Sequence, residues 1–457
     1  MRNRRALTAG MVTLVTLVAF EAVAVTAAMP TVARALDGVA LYGLAFGGAL
    51  ATSVVGMVLA GAWCDRAGPA GPMVAGVALF CLGLLVAGLA PHMAVLVAGR
   101  LVQGFAGGLV NVALFVVVGR AYPAAEHPRV FSALSAAWVL PAVAGPVVAG
   151  VIVEYLGWRW VFLLVVALAV PSALLVWPRV RDVPGAEGAA GVPLRRLSWA
   201  LGAAGGAGLL YLGGQDLSPR GLLCLAAGLV AVPLCGARLL PPGALAARRG
   251  LPAVVLLRGL AGAAFVQADV FIPLLLTRER GLSPALAGLT VTVGALFWST
   301  GSWVQARAAQ RLSDAARLRL GAAAIAAGVL SAMAVVFAAI PVVAVVAGWS
   351  AGGFGMGLVS PATAALVLRY STPARQGVNS SALQVGDALL TTTALAIGGS
   401  LFAALVGRGP VAYLAAFAVA LLPALAGVGI AGRTFGGSGR TTPLVTLAGE
   451  RAGAGRG

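Results

Sequence analysis

Three carboxylates stand inside long apolar stretches of the chain, where a charged side chain is costly. They are Glu21, Asp269 and Asp387. A charge at the centre of a bilayer costs about 2.5–3.5 kcal/mol on insertion scales, and burial favours the neutral form of a carboxyl group, so such a group can bind and release a proton. We therefore predict that these three residues couple proton movement to the activity of the protein. The alternative is that each forms a structural ion pair with a nearby arginine.

Two arginines also lie inside apolar stretches. Arg258 and Asp269 are eleven residues apart, which places them on nearly one face of a helix and about 16 Å apart along its axis. They cannot pair directly, but both can line one cavity; alternatively, Arg258 extends to the near end of its helix. Arg100 requires a carboxylate or backbone carbonyls as its partner, and Gln103 and Gly104 follow it. We assign Arg258 as a candidate cavity residue and Arg100 as a candidate charge partner.

Prolines and glycines alternate in the stretch Pro141, Gly145, Pro146 and Gly150. A proline inside a helix removes a backbone hydrogen bond and bends the helix. The glycines form a small-residue face that lets a neighbouring helix approach closely. This stretch predicts a kinked, tightly packed helix.

The elements that must position these residues are fourteen apolar stretches. The chain is 60% hydrophobic and only 10% charged, and a helix that crosses a bilayer needs about 20 apolar residues. The predicted spans are 8–33, 39–63, 70–90, 93–119, 130–153, 160–177, 197–214, 220–240, 252–277, 284–305, 318–339, 342–368, 378–405 and 411–432. The sequence therefore predicts an all-α polytopic membrane protein.

The arginines predict its orientation. All 31 basic residues are arginine, and most lie at the two termini and in every second loop. Because short loops rich in arginine stay in the cytoplasm, both termini are predicted to be cytoplasmic. The net charge of +18 is then a topology signal and not a nucleic-acid surface, which would need a basic folded domain.

Enzyme, metal and cofactor functions are not supported by the sequence. The cysteines Cys64, Cys81, Cys224 and Cys235 have no zinc or disulfide spacing. No nucleophile, base and orienting group occur together as a catalytic site requires. We predict no enzyme activity, no metal and no cofactor. The run from Leu7 to Ala33 is too long for the apolar region of a signal peptide.

A weak internal repeat predicts two halves. Gly61-Ala-Trp63 in span 2 is echoed by Gly301-Ser-Trp303 in span 10, and Ser132-Ala-Leu in span 5 by Ser381-Ala-Leu in span 13. Duplicated helix bundles are typical of secondary transporters, which bind substrate between the halves. We predict a six-helix bundle over 1–177, a cytoplasmic linker with two inserted spans over 178–251, a second six-helix bundle over 252–432 and a disordered cytoplasmic tail over 433–457.

These motifs resemble, in order, signatures of the major facilitator superfamily, and within it the fourteen-span drug:proton antiporters. Gly61, Asp65, Arg66 and Gly68 resemble the signature of the loop between helices 2 and 3. Arg100, Gln103 and Gly104 resemble the helix 4 signature. Gly145, Pro146 and Gly150 resemble the helix 5 antiporter signature, in which Pro141 replaces a glycine. An acidic residue nine positions before a proline, Glu21 and Pro30, resembles the helix 1 signature.

Two departures accompany the resemblance. The loop signature usually continues with two basic residues, but Pro69 and Ala70 follow Gly68 here. The usual helix 1 aspartate is Glu21.

The resemblance implies two six-helix bundles plus two inserted spans in a major facilitator fold. It implies that Gly61, Asp65, Arg66 and Gly68 form a cytoplasmic gate. It also implies that Arg100, with Gln103 as a further cavity residue, faces the central cavity near the helix 1 carboxylate. It implies export of amphipathic small molecules, such as drugs, antibiotics or secreted metabolites, in exchange for protons. The alternative is an uptake permease or facilitator for a small metabolite. The expected setting is a bacterial cell membrane, with lipid, protons and a small-molecule substrate as partners and a monomeric state.

Overall fold

The computed structural model describes residues 2–38, 41–181, 183–186, 194–215, 218–308 and 313–435. Within them, the chain folds into fifteen α-helices. Their bounds are α1 Arg2–Ala35, α2 Tyr42–Ala67, α3 Ala70–Gly88, α4 Met93–Ala121, α5 His127–Ala136, α6 Val139–Tyr155, α7 Arg159–Val180, α8 Leu194–Gln215, α9 Pro219–Leu239, α10 Leu251–Arg278, α11 Pro284–Ala308, α12 Asp314–Ala334, α13 Val343–Arg369, α14 Gln376–Leu405 and α15 Pro410–Ile430.

The described helices confirm the all-α prediction, and they include eleven segments that are long and apolar enough to cross a membrane. Helix α7, Arg159–Val180, covers the predicted span 160–177, and its segment Arg159–Ser172 is apolar but shorter than these eleven. The predicted spans in α8 and α11 are not among the eleven. Both helices are continuous, but their glycine and polar residues lower the mean hydropathy. The count of fourteen spans therefore stays a prediction.

The helices pack as two bundles with a pair of helices beside them. Helix α4 packs against α2 and α3, and α1 packs against α6 and α7. In the second half of the chain, α13 packs against α11 and α12, and α10 packs against α14 and α15. Helices α8 and α9 pack against each other, and α8 also lies against α2 and α14. The pair therefore contacts a helix of each bundle.

The predicted fifth span is two helices with a break between them. Helix α5 ends at Ala136 and α6 begins at Val139. The break lies just before Pro141, whose ring removes the hydrogen bond that would continue the helix. The predicted kink therefore falls one turn before the first proline of the signature.

Two residues of the predicted tail, Arg433 and Thr434, form backbone hydrogen bonds with the rest of the fold. The backbone oxygen of Arg433 accepts a hydrogen bond from Gly250 N at 2.9 Å, and that of Thr434 accepts one from the Tyr370 hydroxyl at 2.9 Å. The ordered chain thus extends beyond the predicted boundary at 432, and residues 436–457 lie outside the described residues.

The location of the segment between α8 and α9 tests the predicted number of membrane spans. A reporter fused after Asp216, between α8 and α9, is expected to read as periplasmic, because α8 would carry the chain outward from the arginine-rich linker. Alkaline phosphatase and green fluorescent protein fusions at this site measure the location, with a fusion after Ala186 as the cytoplasmic control. A cytoplasmic reading at Asp216 contradicts the fourteen-span prediction.

Candidate functional site

The first candidate site is a nearly buried ion pair between α1 and α4. Arg100 Nη1 lies 2.7 Å from Glu21 Oε1, and the side chains are 11% and 6% exposed. The same nitrogen donates to Gln103 Oε1 at 2.7 Å, while Arg100 Nε donates to the Ala45 carbonyl of α2 at 3.4 Å. Residues far apart in sequence therefore form one polar cluster inside the first bundle.

Glycines bring the helices around this cluster close together. A Cβ atom at Gly104 would overlap the backbone of Ala49, and one at Gly108 would overlap the backbone of Ser53. On α6, a Cβ at Gly145 would lie 2.9 Å from Val23, two residues from Glu21. The signature glycines of α4 and α6 thus hold α2 and α1 against the ion pair.

Gly150 differs from the expectation of tight packing. A Cβ atom at Gly150 would have no neighbour within 4 Å. Of the two signature glycines in α6, only Gly145 makes a close helix contact in this conformation.

A second ion pair lies inside the other bundle, between α10 and α14. Arg258 Nε and Nη2 lie 3.0 and 2.9 Å from Asp387 Oδ2. A Cβ at Gly262 would overlap the Asp387 carboxylate, so this glycine makes room for the pair. Asp387 Oδ1 and Arg258 Nη1 are buried, and no described residue forms a hydrogen bond with either atom. Arg258 therefore pairs with Asp387, an arrangement the sequence did not indicate.

Asp269 has a different environment from the other two carboxylates. Its Oδ1 accepts a hydrogen bond from Trp349 Nε1 of α13 at 3.1 Å. The Trp349 ring stacks on Phe265, with ring centroids 4.7 Å apart. No arginine among the described residues forms an ion pair with Asp269. Asp269 is the one of the three carboxylates that can take a proton without losing an ion pair.

The halves meet where α2 ends and α14 begins, at the arginine-rich end of the molecule. The carboxylate of Asp65 accepts hydrogen bonds from the backbone N–H groups of Gly377 and Val378 at 2.7 and 2.9 Å. These groups belong to the first turn of α14, which has unpaired N–H donors and a partial positive charge. A Cβ at Gly61 would lie 2.8 Å both from the Gly377 oxygen and from Ser381 Cβ. We name this the Asp65 contact.

A matching contact joins α5 of the first half to α11 of the second. The Ser132 hydroxyl donates to the backbone oxygen of Ser302 at 2.6 Å. Ser132 and Ser302 belong to the two sequence echoes, as do Ser381 and Gly61 at the Asp65 contact. The repeated segments thus face each other twice, in the crossed arrangement that a pseudo-two-fold axis produces.

Two residues of the predicted gate, Gly68 and Arg66, lie in different environments. Gly68 ends α2 with φ +83°, a left-handed conformation that favours glycine. Arg66 is exposed, and no described residue forms an ion pair with it. The arginine that contacts Asp65 is instead Arg120, at the end of α4, with Nη2 3.3 Å from Asp65 Oδ1. Sequence reasoning used Arg120 only for topology, although α2 and α4 both end at the arginine-rich end.

The architecture is that of a multi-pass helical membrane protein with two bundles, a buried ion pair within each, and contacts between the bundles at one end. The sequence profile described as Major Facilitator Superfamily matches residues 11–389. The chain therefore belongs to the Major Facilitator Superfamily.

Curated relatives match parts of the chain. A probable multidrug-efflux transporter of Mycobacterium tuberculosis is 29% identical over 286 residues, which cover 60% of each chain. An MFS-type transporter of Penicillium citrinum, gkaD, is 30% identical over 161 residues, or 35% of this chain and 28% of the relative. The chain thus spans less than two thirds of the length of these relatives.

Solved structures share the fold. The human organic anion transporter MFSD10 superimposes with a TM-score of 0.70 at 15% identity, covering 93% of this chain and 99% of that chain. The proton:xylose symporter XylE gives a TM-score of 0.64 at 14% identity, over 92% and 94% of the two chains. These neighbours confirm a major facilitator fold.

Proposed function

We propose that this transporter exports amphipathic small molecules in exchange for protons, alternating between states open to opposite sides of the membrane. The observation that carries the proposal is the Glu21–Arg100 pair, a carboxylate and an arginine nearly buried inside a bundle. Relatives named as multidrug-efflux transporters support export. We further propose that the protein works as a monomer in a bacterial plasma membrane with both termini in the cytoplasm.

In this mechanism a proton and the substrate compete for the same polar groups. When Glu21 binds a proton, its charge is lost, so Glu21 no longer offers an ionised carboxylate to the substrate, and its ion pair with Arg100 weakens. Asp269 and Asp387 are further proton sites in the second bundle. Asp269 binds a proton without losing an arginine partner, whereas Asp387 must release Arg258.

Proton entry supplies the driving force. One charge that moves through a potential of 100 mV releases about 2.3 kcal/mol. This energy biases the conformational equilibrium only if the proton binds the two states with different affinity. Opening and closing of the Asp65 contact provides the two states, and the break between α5 and α6 provides a flexible point.

The test is substrate-driven proton release in everted membrane vesicles, measured as fluorescence recovery of a quenched pH dye. Ethidium, chloramphenicol and taurocholate serve as cationic, neutral and anionic probes. We expect at least one probe to release protons in wild type. In Glu21→Gln the signal is expected to fall to that of vesicles without the transporter, because glutamine cannot carry the proton. Glu279→Gln, which alters an exposed carboxylate at the end of α10, is the matched control.

Each other outcome is informative. If Glu21→Gln still responds, the coupling acid is elsewhere, and Asp269→Asn and Asp387→Asn are tested next. If probes accumulate or equilibrate without proton release in wild type, the antiport proposal is wrong. Uptake coupled to proton entry into right-side-out vesicles would favour the permease alternative.

A further inference from the structure

The Asp65 contact lacks the basic residues that usually follow its signature. Pro69 and Ala70 occupy their places, yet Asp65 is only 1% exposed. A buried carboxylate without a compensating charge costs several kcal/mol. A positive group from elsewhere in the fold must therefore accompany Asp65 in this conformation.

Arg120 is the arginine that forms an ion pair with Asp65, Arg196 adds positive charge from a greater distance, and Arg120 contacts three separate segments. Its Nη2 lies 3.3 Å from Asp65 Oδ1 and donates to the Pro373 oxygen at 3.2 Å. Its Nη1 donates to the Cys64 oxygen at 3.0 Å and to the Pro184 oxygen at 2.7 Å. The acceptors belong to the end of α2, to the linker after α7 and to the turn before α14, in the second half of the chain.

The linker completes this arrangement. Ala186 N donates to the Asp65 backbone oxygen at 2.8 Å. A Cβ at Gly185 would overlap the Arg66 carbonyl, and one at Gly68 would overlap the Val183 carbonyl. The segment Val183–Ala186 therefore lies directly on the turn between α2 and α3. Residues 182 and 187–193 of the linker are outside the described residues.

We propose that Arg120 and the linker segment Val183–Ala186 form a lock that holds the Asp65 contact closed, in place of the basic residues absent at Pro69 and Ala70. Arg120 is a positioning residue: it neutralises and orients Asp65 so that the carboxylate caps α14, and it contacts Pro373 across the halves. Its guanidinium suits this task, because a planar group with five donors can serve four acceptors at once. The proposal rests on the alternating-access part of the proposed function and not on its direction or proton coupling.

The contacts of Arg120 and Asp65 indicate which conformational state is favoured when Arg120 is lost. Separation of the halves removes the Gly377 and Val378 donors from Asp65 and the Pro373 acceptor from Arg120, while the Asp65–Arg120 pair stays within the first half. Without Arg120, closure buries the Asp65 carboxylate with two backbone N–H donors and the more distant Arg196 but no ion-pair partner, whereas opening exposes it to water. Loss of Arg120 therefore favours the state that is open at the arginine-rich end.

The test measures the distance between spin labels on opposite halves in purified protein. Labels are placed at Ala125→Cys and Thr372→Cys, both exposed, after the four native cysteines are replaced by alanine. We expect Arg120→Met to shift most of the distance distribution to longer distances. Arg129→Met, which alters an exposed arginine at the same end, should leave the distribution unchanged. Adding Pro69→Arg to Arg120→Met restores the basic residue to the loop and should return the distribution toward shorter distances.

A purely structural role predicts another result. If Arg120→Met lowers the melting temperature but leaves the distance distribution unchanged, the proposal is overturned. If Arg120→Met does not fold, Arg120→Lys decides the question, since lysine keeps the charge but cannot reach all four acceptors; it is expected to give an intermediate shift, and an unchanged distribution overturns the lock. These measurements require no substrate and no proton gradient, so their outcome is independent of the vesicle assay.

Discussion

Replacing Arg100 by methionine is expected to abolish transport and to destabilise the protein by about 3–5 kcal/mol, the cost of removing one partner of a buried ion pair. The side chain of Glu21 is 6% exposed and would be left without its ion-pair partner. Methionine keeps an unbranched apolar stem but is shorter than arginine, so the change removes the charge and the hydrogen-bond donors of the guanidinium group. The melting temperature of purified protein and ethidium efflux from energised cells measure the two effects.

The double variant Glu21→Gln/Arg100→Met separates stability from function. Removing both charges of a buried pair is often neutral or stabilising, so the double variant is expected to recover most of the melting temperature and none of the transport. Arg278→Met changes an exposed arginine at the end of α10 and serves as the control for loss of charge. Normal efflux by folded Arg100→Met would contradict a role for this pair in the mechanism.

Replacing Gly61 by valine is expected to prevent closure of the arginine-rich end. A Cβ atom at this position would lie 2.8 Å from the Gly377 oxygen and 2.8 Å from Ser381 Cβ. Both neighbours lie on α14, whose backbone cannot move locally without breaking its helix. The halves must therefore separate to accommodate the side chain, and transport is expected to stop because one of the two states is lost.

A cysteine at Ser132 reports this opening. Ser132 is buried at the α5–α11 contact, so Ser132→Cys reacts slowly with a maleimide when the end is closed. In a background without native cysteines, Gly61→Val should raise the labelling rate of purified protein by about tenfold or more, equivalent to roughly 1.4 kcal/mol in the opening equilibrium. Gly205→Val makes the same substitution on α8, where a Cβ has no neighbour within 4 Å. An unchanged labelling rate in Gly61→Val would show that the Asp65 contact can re-form around a side chain.

The polar residues show how far sequence reasoning reaches. A carboxylate or arginine in an apolar stretch predicts that a partner exists, because an unpaired charge there is costly. The resemblance also placed Arg100 near the carboxylate of helix 1, and the structure brings the two together. The sequence did not indicate that Arg258 pairs with Asp387, 129 residues away, because helical periodicity relates residues only within one helix.

The contact partners of Asp269 and Arg120 could not be predicted from the sequence pattern. Asp269 was grouped with Glu21 and Asp387 because all three lie in apolar stretches, but its neighbour is Trp349 and not an arginine. Arg120 contributed only to the charge count of its loop, yet it contacts both halves. Which of several similar side chains meets a given partner depends on the rotation and packing of whole helices.

The sequence by itself determined the membrane class, the helical fold and the family, because hydrophobic length and glycine, proline and charge signatures are local properties of the chain. It also determined that repeated segments occur in both halves. Only the tertiary structure decided which charges pair, that the repeats meet across the halves and that Arg120 accompanies Asp65. Those contacts join residues distant in sequence, and their geometry is set by close helix packing at glycines such as Gly61, Gly104 and Gly262.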